Sequence, residues 1–315
     1  MNLCLKYYKN DSTIIFIIVM SSSIACKKFK IVNLLLNKSI FNNDIIKIIL
    51  THYWNVIDCK RKVLLKWIDI DKLSWNGLSK NPNAIDLLRD NLDKINWTFL
   101  CKNKNAISIL QDNLDKLSKF DIQFLCQNKN AISLLRDNPE IIQWPYLCFN
   151  KNAISLLKDN RDKIDWNCLS SNVNAISLLP KNKINWNCLS GNKNAIKLLK
   201  NNRDKINYYY LCFNKNAICL LRDNLDKVNW TYLSENKNAI SLLRKHKHFI
   251  DWNTLSSNVN AISLLKDNLN KINWMWLSRN KMAIDLLRDN LDKINWRYIS
   301  ENPAIFCDES MPEIL

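Results

Sequence analysis

Glycine is almost absent from this chain of 315 residues, in which only Gly77 and Gly191 occur. Phosphate-binding loops and dinucleotide-binding turns need several closely spaced glycines, and the nucleophile elbow of hydrolases needs two that flank a serine. Two glycines so far apart in the sequence can form none of these motifs. Their scarcity excludes the nucleotide-binding and hydrolase classes that depend on them.

Histidine is also scarce, and the cysteines lack metal-binding spacing. The chain has three histidines, His52, His246 and His248, and eleven cysteines, none of which forms a CxxC pair. The segment "KHKH" at 245–248 has no recurring acidic or thiol partner, so we interpret it as a solvated turn. Catalysis needs unlike groups that converge at one place. This chain repeats like groups along a line, and we predict a non-enzymatic protein without metal or cofactor.

Long apolar runs are missing too. The segment "TIIFIIVMSSSIAC" at 13–26 is too short to span a bilayer. It has two interpretations: a weak secretory signal flanked by Lys6 and Lys9, or a stretch upstream of a start at Met20. We favour a cytoplasmic protein, either in a host cytoplasm or in a virion if the chain is viral.

A phrase of about 22 residues recurs through most of the chain, with the consensus D-K-I-N-W-x-x-L-S-x-N-x-N-A-I-x-L-L-R-D-N-L. Ile122 and Tyr208 replace the tryptophan in two of its eleven copies. The other nine copies, of which the last is truncated, have a tryptophan. These tryptophans are Trp75, Trp97, Trp144, Trp166, Trp186, Trp230, Trp252, Trp274 and Trp296.

The apolar spacing within each copy is helical. Ala239, Ile240, Leu242 and Leu243 cluster on one side of a helix, and a shorter helix begins at the tryptophan. The residue before the tryptophan, such as Asn96 or Asp165, is predicted to cap that shorter helix. An asparagine that recurs six residues after the tryptophan position is predicted to cap the longer helix. It is found at Asn81, Asn103, Asn128, Asn150, Asn172, Asn192, Asn214, Asn236, Asn258, Asn280 and Asn302.

These patterns predict an all-α fold, an α-solenoid of about ten two-helix repeats of about 22 residues. Helices this short are stable only when stacked, and ten repeats packed 8–10 Å apart would give a rod or arc of roughly 90 Å. We divide the chain into an N-terminal segment (1–30, a disordered stretch or a signal), a degenerate helical cap (31–74), the solenoid (75–305) and a tail (306–315). Residues 35–62 also have the apolar pattern of an F-box helix, which would make the protein a ubiquitin-ligase adaptor.

The phrases "NPNAIDLLRDNLDKINW" at 81–97 and "NWTYLSENKNAISLL" at 229–243 resemble the tandem-repeat proteins of giant DNA viruses, the mimivirus-like group. The resemblance covers residues 54–305. It implies a viral origin and a repeat architecture, and it implies no functional residue.

Two rows of side chains are candidate binding residues. An aromatic residue often lies two positions after the tryptophan, where binding and packing between repeats explain it equally well. These aromatics are Phe99, Phe124, Tyr146, Tyr210, Tyr232, Trp276 and Tyr298. A lysine often follows the recurrent asparagine, at the predicted first position of the longer helix, where it would oppose the helix dipole. This lysine ladder consists of Lys104, Lys129, Lys151, Lys193, Lys215, Lys237 and Lys281.

Cysteine alternates with serine at one repeat position, in Cys101, Cys126, Cys148 and Cys212, and we interpret these thiols as small packing groups in a reducing compartment. The net charge of +17 permits a polyanion as partner. The sequence favours a scaffold for protein–protein interaction, with nucleic-acid binding through the lysine ladder as the alternative. It indicates no membrane partner and no small-molecule substrate.

Overall fold

The computed structural model describes residues 4–10, 13–19 and 61–309. The chain forms two compact units, Met1–Val63 with Asp308–Leu315, and Leu64–Cys307. In the first unit, β1 (Cys4–Asn10) and β2 (Thr13–Val19) form an antiparallel hairpin with Cys4 opposite Val19. The sequence analysis did not predict this hairpin. The predicted helical cap up to residue 60, and with it nearly all of the F-box-like segment 35–62, lies outside the described residues.

The second unit confirms the all-α solenoid. Each repeat begins with a short helix, here called the Trp helix. Within residues 61–309 these helices are Trp75–Lys80, Trp97–Cys101, Lys119–Gln127, Trp144–Leu147, Trp166–Ser170, Trp186–Ser190, Tyr208–Leu211, Trp230–Glu235, Trp252–Ser256, Trp274–Ser278 and Trp296–Ile299.

The second helix of each repeat, here called the Ile helix, begins at the isoleucine of the repeat consensus. Its α-helical copies are Ile85–Arg89, Ile107–Gln111, Ile132–Asp137, Ile154–Asp159, Ile196–Lys200, Ile218–Arg222, Ile240–Lys245, Ile262–Lys266 and Ile284–Arg288. Pro180 shortens one copy to the 3-10 helix Ile176–Leu178. The truncated last repeat has the 3-10 helix Pro303–Ile305 instead.

A third element, a 3-10 turn that the sequence pattern did not predict, precedes each Trp helix. These turns are Ile70–Lys72, Leu92–Lys94, Leu114–Lys116, Pro139–Ile141, Arg161–Lys163, Lys181–Lys183, Arg203–Lys205, Leu225–Lys227, Lys247–Phe249, Leu269–Lys271 and Leu291–Lys293. A further 3-10 helix, Lys281–Ala283, precedes one Ile helix. The strands β3 (Lys62–Leu64) and β4 (Phe306–Asp308) pair in a two-stranded sheet.

The predicted cap of the Trp helix is confirmed in most repeats. The side chain of Asn96 accepts a hydrogen bond from the N–H of Phe99 at 3.1 Å, and Asp165 accepts one from Cys168 at 2.9 Å. In the repeat of Ile122 the prediction fails, because Asp121 lies inside the helix Lys119–Gln127 and Ser118 caps that helix. Asparagine and aspartate replace one another at the predicted position because the cap needs only a side-chain oxygen.

The predicted cap of the Ile helix is wrong in position. The helix Ile85–Arg89 is preceded by Ala84, which has no side chain to cap it. The oxygen of Asn81 instead accepts the N–H of Asn83 at 3.0 Å and closes a turn before the helix begins. Only the 3-10 helices Lys281–Ala283 and Pro303–Ile305 start directly after this asparagine.

The segment "RDN" after the leucine pair predicts a helix end at which Asn91 or Asn224 turns left-handed, and this prediction is wrong. Asn91 and Asn224 have φ values of −140° and −145°, so neither is left-handed. The side-chain amide of Asn91 donates back to the carbonyl of Leu87 at 3.0 Å, which satisfies a free group at the helix end. The chain therefore enters the 3-10 turn without a left-handed residue.

The recurrent asparagines Asn81 to Asn302 form one continuous chain of hydrogen bonds, here called the Asn ring. Each side-chain amide donates to two carbonyls of the preceding repeat, as Asn103 does to Ser79 at 3.0 Å and to Asn81 at 2.8 Å. All eleven asparagines are buried, with exposures from 0 % to 6 %. The side chain uses two donors and one acceptor at once, a combination that asparagine supplies and that serine and aspartate lack.

The Asn ring closes because the first repeat binds the last. Asn81 donates to the carbonyls of Ser300 and Asn302, both at 3.0 Å, and Asn83 donates to Pro303 at 2.8 Å. The two bonds of Asn81 repeat, position for position, those of every other joint. The bond of Asn83 recurs in all joints except those of Met282 and Ala304, which have no side-chain amide. The unit Leu64–Cys307 is therefore a closed ring of eleven repeats. The predicted open rod or arc is wrong, since each repeat turns the stack by one eleventh of a circle.

Leucines of both helices and the alanine before each Ile helix form one core that runs through every described repeat. The Trp helices of successive repeats pack closely, whereas successive Ile helices approach each other less. Each repeat is therefore a wedge that is narrow at the Trp helix. Wedges of one kind, stacked in register, curve steadily and bring the ends together.

The Asn ring predicts a large loss of stability for Asn236→Ala. This change removes donors to the buried carbonyls of Cys212 and Asn214. Each buried group that loses its partner costs about 1–3 kcal/mol, so we expect the free energy of unfolding to fall by roughly 2–4 kcal/mol. Chemical denaturation measures it. Asn238→Ala is the control, because this exposed side chain gives up only one bond, to Lys215. Equal losses in the two variants would contradict the ring.

Ring closure predicts that Gly77→Ala is destabilising. A Cβ at Gly77 would lie 2.6 Å from the Cβ of Ser300 and 3.1 Å from the carbonyl oxygen of Arg297, across the joint between the last and first repeats. Overpacking of this kind costs typically 1–3 kcal/mol. We also expect faster hydrogen exchange at Ser74, whose N–H donates to Ser300 Oγ at 2.8 Å.

Gly191→Ala is the matched control, because its Cβ would approach no atom closer than 3.5 Å. We expect that variant to be neutral or slightly stabilised. If Gly77→Ala kept wild-type stability and the same protection at Ser74, the ring would not be closed in solution.

Candidate functional site

The lysine ladder lies in the turn that follows the Asn ring. Lys104 stands between Asn103, which belongs to the ring, and Asn105, whose N–H donates to Asn103 at 3.0 Å. The Ile helix begins only at Ile107. The predicted position at the start of the longer helix is therefore wrong for six of the seven lysines. Only Lys281 begins a helix, the 3-10 helix Lys281–Ala283 that leads into Ile284–Arg288. The lysines occupy a tight turn whose shape the Asn ring fixes.

A second set of hydrogen bonds holds the backbone of this turn. The side chain of Asn130 donates to the carbonyl of Lys104 at 2.7 Å, and Asn238 donates to that of Lys215 at 3.0 Å. The same bond joins Asn152 to Lys129, Asn174 to Lys151, Asn216 to Lys193 and Asn260 to Lys237. Six of the seven ladder lysines therefore have a fixed backbone, and their side chains are left exposed, with only Lys129 half-buried.

The ladder lysines act on one another electrostatically. Partial burial lowers the pKa of Lys237, and the charges of Lys215 and Lys281 lower it further against the opposing effect of Glu235. Within residues 61–309, no ladder lysine lies within salt-bridge distance of a carboxylate. Glu301 forms salt bridges with Lys80 at 2.9 Å and with Arg279 at 3.0 Å, neither of which belongs to the ladder. A bound anion would relieve this repulsion.

Four consecutive repeats share a groove of about 460 Å³ beside the ladder. Its walls contain three ladder lysines and one exposed aromatic ring. The lining residues are Lys102, Lys104, Gln127, Asn128, Lys129, Phe149, Lys151, Ser171 and Val173. A concavity that spans so many repeats suits an elongated ligand.

The aromatic row two positions after the tryptophan takes part in packing. Phe124, Tyr146 and Tyr232 pack against the core. Gly77 occupies this position in the first repeat, and its close approach to Ser300 shows that the position faces the preceding Trp helix. Phe99 and Phe124 share the ammonium group of Lys102, at 5.4 and 3.8 Å from their ring centroids.

The remaining members of that row are Tyr210, which is exposed, and the pair Trp276 and Tyr298. The guanidinium of Arg279 lies 5.7 Å from the centroid of each ring of this pair. Packing thus explains several members of the row, and a binding role for the row stays a prediction.

The tryptophans are half-buried, and a lysine covers most of them. Lys94 of the following 3-10 turn lies 4.8 Å from the ring centroid of Trp75, and Lys72 lies 5.2 Å from that of Trp296, across the closing joint. Such contacts stabilise an exposed site by about 0.5–1 kcal/mol each. Phe249 stacks on Trp230 in place of a lysine, at 4.9 Å. The tryptophan faces are therefore occupied within the fold.

Two exposed aromatic rings next to the ladder were not predicted from the sequence. Phe149 and Phe213 are 43 % and 40 % exposed. Both lie in the same hexapeptide, "CFNKNA", at 148–153 and 212–217. That exact recurrence, at a position that is polar or glycine in the other nine copies, was the signal that could have found them.

The histidine segment forms the 3-10 turn Lys247–Phe249, as the interpretation of a turn between repeats predicts. His246 packs on Trp230, with 5.3 Å between the ring centroids. Among residues 61–309, no group of three or more histidine, cysteine or acidic side chains is arranged to hold a metal ion. No described helix has the length and apolar character needed to cross a membrane.

Comparison of the chain with protein-family models, with curated proteins and with solved structures finds no match.

The thiols at the serine position are buried and free. Burial raises the pKa of the Cys101 thiol to about 12, with smaller effects of Asp121 and Cys126. Burial also raises the pKa of Cys126, Cys148 and Cys212. The serine hydroxyl that replaces them accepts an N–H of the next repeat, as Ser79 does from Asn96 at 3.0 Å. These residues are packing groups of the joint.

The thiol environments predict selective alkylation. At pH 8, iodoacetamide should modify the exposed Cys219 and Cys307 in the folded protein and leave Cys101 and Cys212 unmodified, because a buried thiol with a raised pKa supplies little thiolate. Peptide mass spectrometry gives the extent at each site, and alkylation after denaturation is the control. Modification of Cys101 in the folded protein as fast as Cys219 would refute the assignment.

Proposed function

We propose that the chain is a non-enzymatic binding scaffold whose lysine ladder binds an extended polyanion. The observation that carries this proposal is the set of exposed ammonium groups on turns of fixed geometry, with no carboxylate partner among the described residues. The lowered pKa of Lys237, which burial and two neighbouring lysines cause, supports it.

The rigidity of the turn favours binding. Side-chain and loop ordering normally opposes association, and a preorganised site loses less freedom. The Asn ring and the second row of asparagine bonds hold the ladder backbone before any ligand arrives. Neighbouring lysines therefore present their charges in one register, which suits the regular spacing of anionic groups along a polymer.

A protein partner, the first expectation from the sequence, is the second candidate. Trp276 and Tyr298 with Arg279 between them carry it, since aromatic and arginine side chains dominate binding energy at protein interfaces. Extended repeat stacks commonly expose a long face to such a partner, and a closed ring has no extended stack of this kind.

Inorganic polyphosphate is the probe for the polyanion, since it carries charge without bases. We expect the wild-type affinity to fall steeply with salt. Changing Lys193, Lys215 and Lys237 together to glutamine should flatten the dependence of log K on log salt by roughly two units, because each neutralised phosphate contributes about 0.7 for a single strand. Titration calorimetry at several salt concentrations measures this slope.

The matched control changes Lys158, Lys200 and Lys266 to glutamine, an equal loss of charge at exposed positions of the Ile helices. This control should keep the wild-type slope. If it flattens the slope as much as the ladder variant does, the binding is diffuse and the ladder is not the site. Absence of binding by the wild-type chain at low salt would reject a polyanion altogether.

A further inference from the structure

The position before each asparagine of the Asn ring is polar or glycine in nine of the eleven repeats. Its occupants there are Lys80, Lys102, Gln127, Ser171, Gly191, Glu235, Ser257, Arg279 and Glu301. The fold therefore needs no aromatic ring at this position. Phe149 and Phe213 nevertheless place one there, with two-fifths or more of each residue exposed. Packing does not account for these two rings.

Both phenylalanine side chains lie within runs of ladder lysines. Phe149 lines the groove together with Lys104, Lys129 and Lys151. Phe213 directly precedes Asn214 and Lys215, in the run that also contains Lys193 and Lys237. The closed ring of repeats therefore contains the same arrangement twice: three successive ladder lysines and a single exposed phenylalanine.

The backbone at both rings is fixed. The N–H of Phe149 donates to the carbonyl of Tyr146, and that of Phe213 to Tyr210, both at 3.2 Å. The asparagine that follows each phenylalanine belongs to the Asn ring. Tyr232 packs beside Phe213 with a centroid distance of 4.6 Å, which supports that side chain from one side.

Tyr209 and Tyr210, which are 46 % and 41 % exposed, extend the aromatic surface around Phe213. Their ring centroids are 5.3 Å apart, and Tyr209 lies 6.3 Å from Phe213. The second run of lysines thus has a wider aromatic platform than the first. Exposed apolar surface grouped in this way marks a binding site more often than scattered single residues do.

Resting on the proposed polyanion-binding function, we propose that the ligand is a single-stranded nucleic acid whose bases stack on Phe149 and Phe213 while the ladder lysines follow its backbone. Grooves that combine cations with exposed aromatic rings bind single strands in this manner. A duplex keeps its base faces stacked inside and could use only the lysines. Polyphosphate and acidic peptides have no flat faces to stack.

The test measures the binding of labelled oligo(dT) and oligo(rU) of 20 nucleotides by fluorescence anisotropy, with a DNA hairpin duplex, polyphosphate and poly-L-glutamate as competitors. Phe149→Leu combined with Phe213→Leu should weaken oligonucleotide binding by about 10-fold to 100-fold, since stacking on each ring contributes substantially per base. The affinity for polyphosphate should change less than about twofold, because leucine keeps the charges of the ladder.

The matched control is Phe120→Leu combined with Phe249→Leu, which removes two other exposed rings, of 60 % and 54 % exposure. It should bind oligonucleotides as the wild type does. Thermal denaturation verifies that both double variants are folded. The oligo(dT) and oligo(rU) arms distinguish DNA from RNA, because only the RNA can use a 2′-hydroxyl contact.

Three results would overturn the inference. The Phe149/Phe213 variant could bind oligonucleotides as tightly as the wild type, or the duplex could compete as well as the single strand, and in either case polyphosphate binding would still support the broader proposal. If poly-L-glutamate bound more tightly than the oligonucleotides, the surface would be assigned to an acidic protein partner. Failure of the wild type to bind polyphosphate and oligonucleotides alike would reject the proposed function itself.

Discussion

The side-chain amide of one asparagine per repeat is the interaction on which the rest of the structure depends. Helices of four to six residues leave most of their terminal N–H and C=O groups without an intrahelical partner, and such groups are costly when buried. The Asn ring supplies partners to two carbonyls of the preceding repeat and to one N–H of its own turn. Elements too short to be stable alone therefore become parts of one hydrogen-bonded stack.

Closure changes the energetics of that stack. An open solenoid exposes apolar surface at both ends and needs terminal repeats with a polar outer face. In this ring the last repeat covers the first through the asparagine contacts that join all other repeats, and through serine and lysine–tryptophan contacts that most of them share. Gly77 is an adaptation at that joint, because a larger side chain would meet Ser300. Eleven equivalent joints leave neither end of the stack free.

The same framework arranges the candidate binding groups. Because the ladder lysines stand directly after the asparagines of the ring, the spacing of their charges follows from the spacing of the joints. The fold places Lys215 and Lys281 close enough to Lys237 for their like charges to repel it. It also exposes Phe149 and Phe213 at a position where the nine other repeats have a polar residue or glycine. Neither feature recurs in every repeat, as a requirement of the fold would, and together they support the proposal of an anionic ligand with stacking bases.

The sequence by itself determined the repeat, its helical character, most of the caps before the tryptophans and the residues of the core, because these follow from periodicity within about 22 residues. It also contained a clue to the Asn ring. The cap before the tryptophan is asparagine in some repeats and aspartate in others, as a site for one acceptor allows, whereas the ring position is asparagine in every copy because donors are needed as well. Only the tertiary structure decided that the ladder lysines lie in a turn, that lysines cover the tryptophans, and that the stack closes. Closure depends on a small angle between neighbouring repeats summed eleven times, and no local pattern of residues encodes that sum.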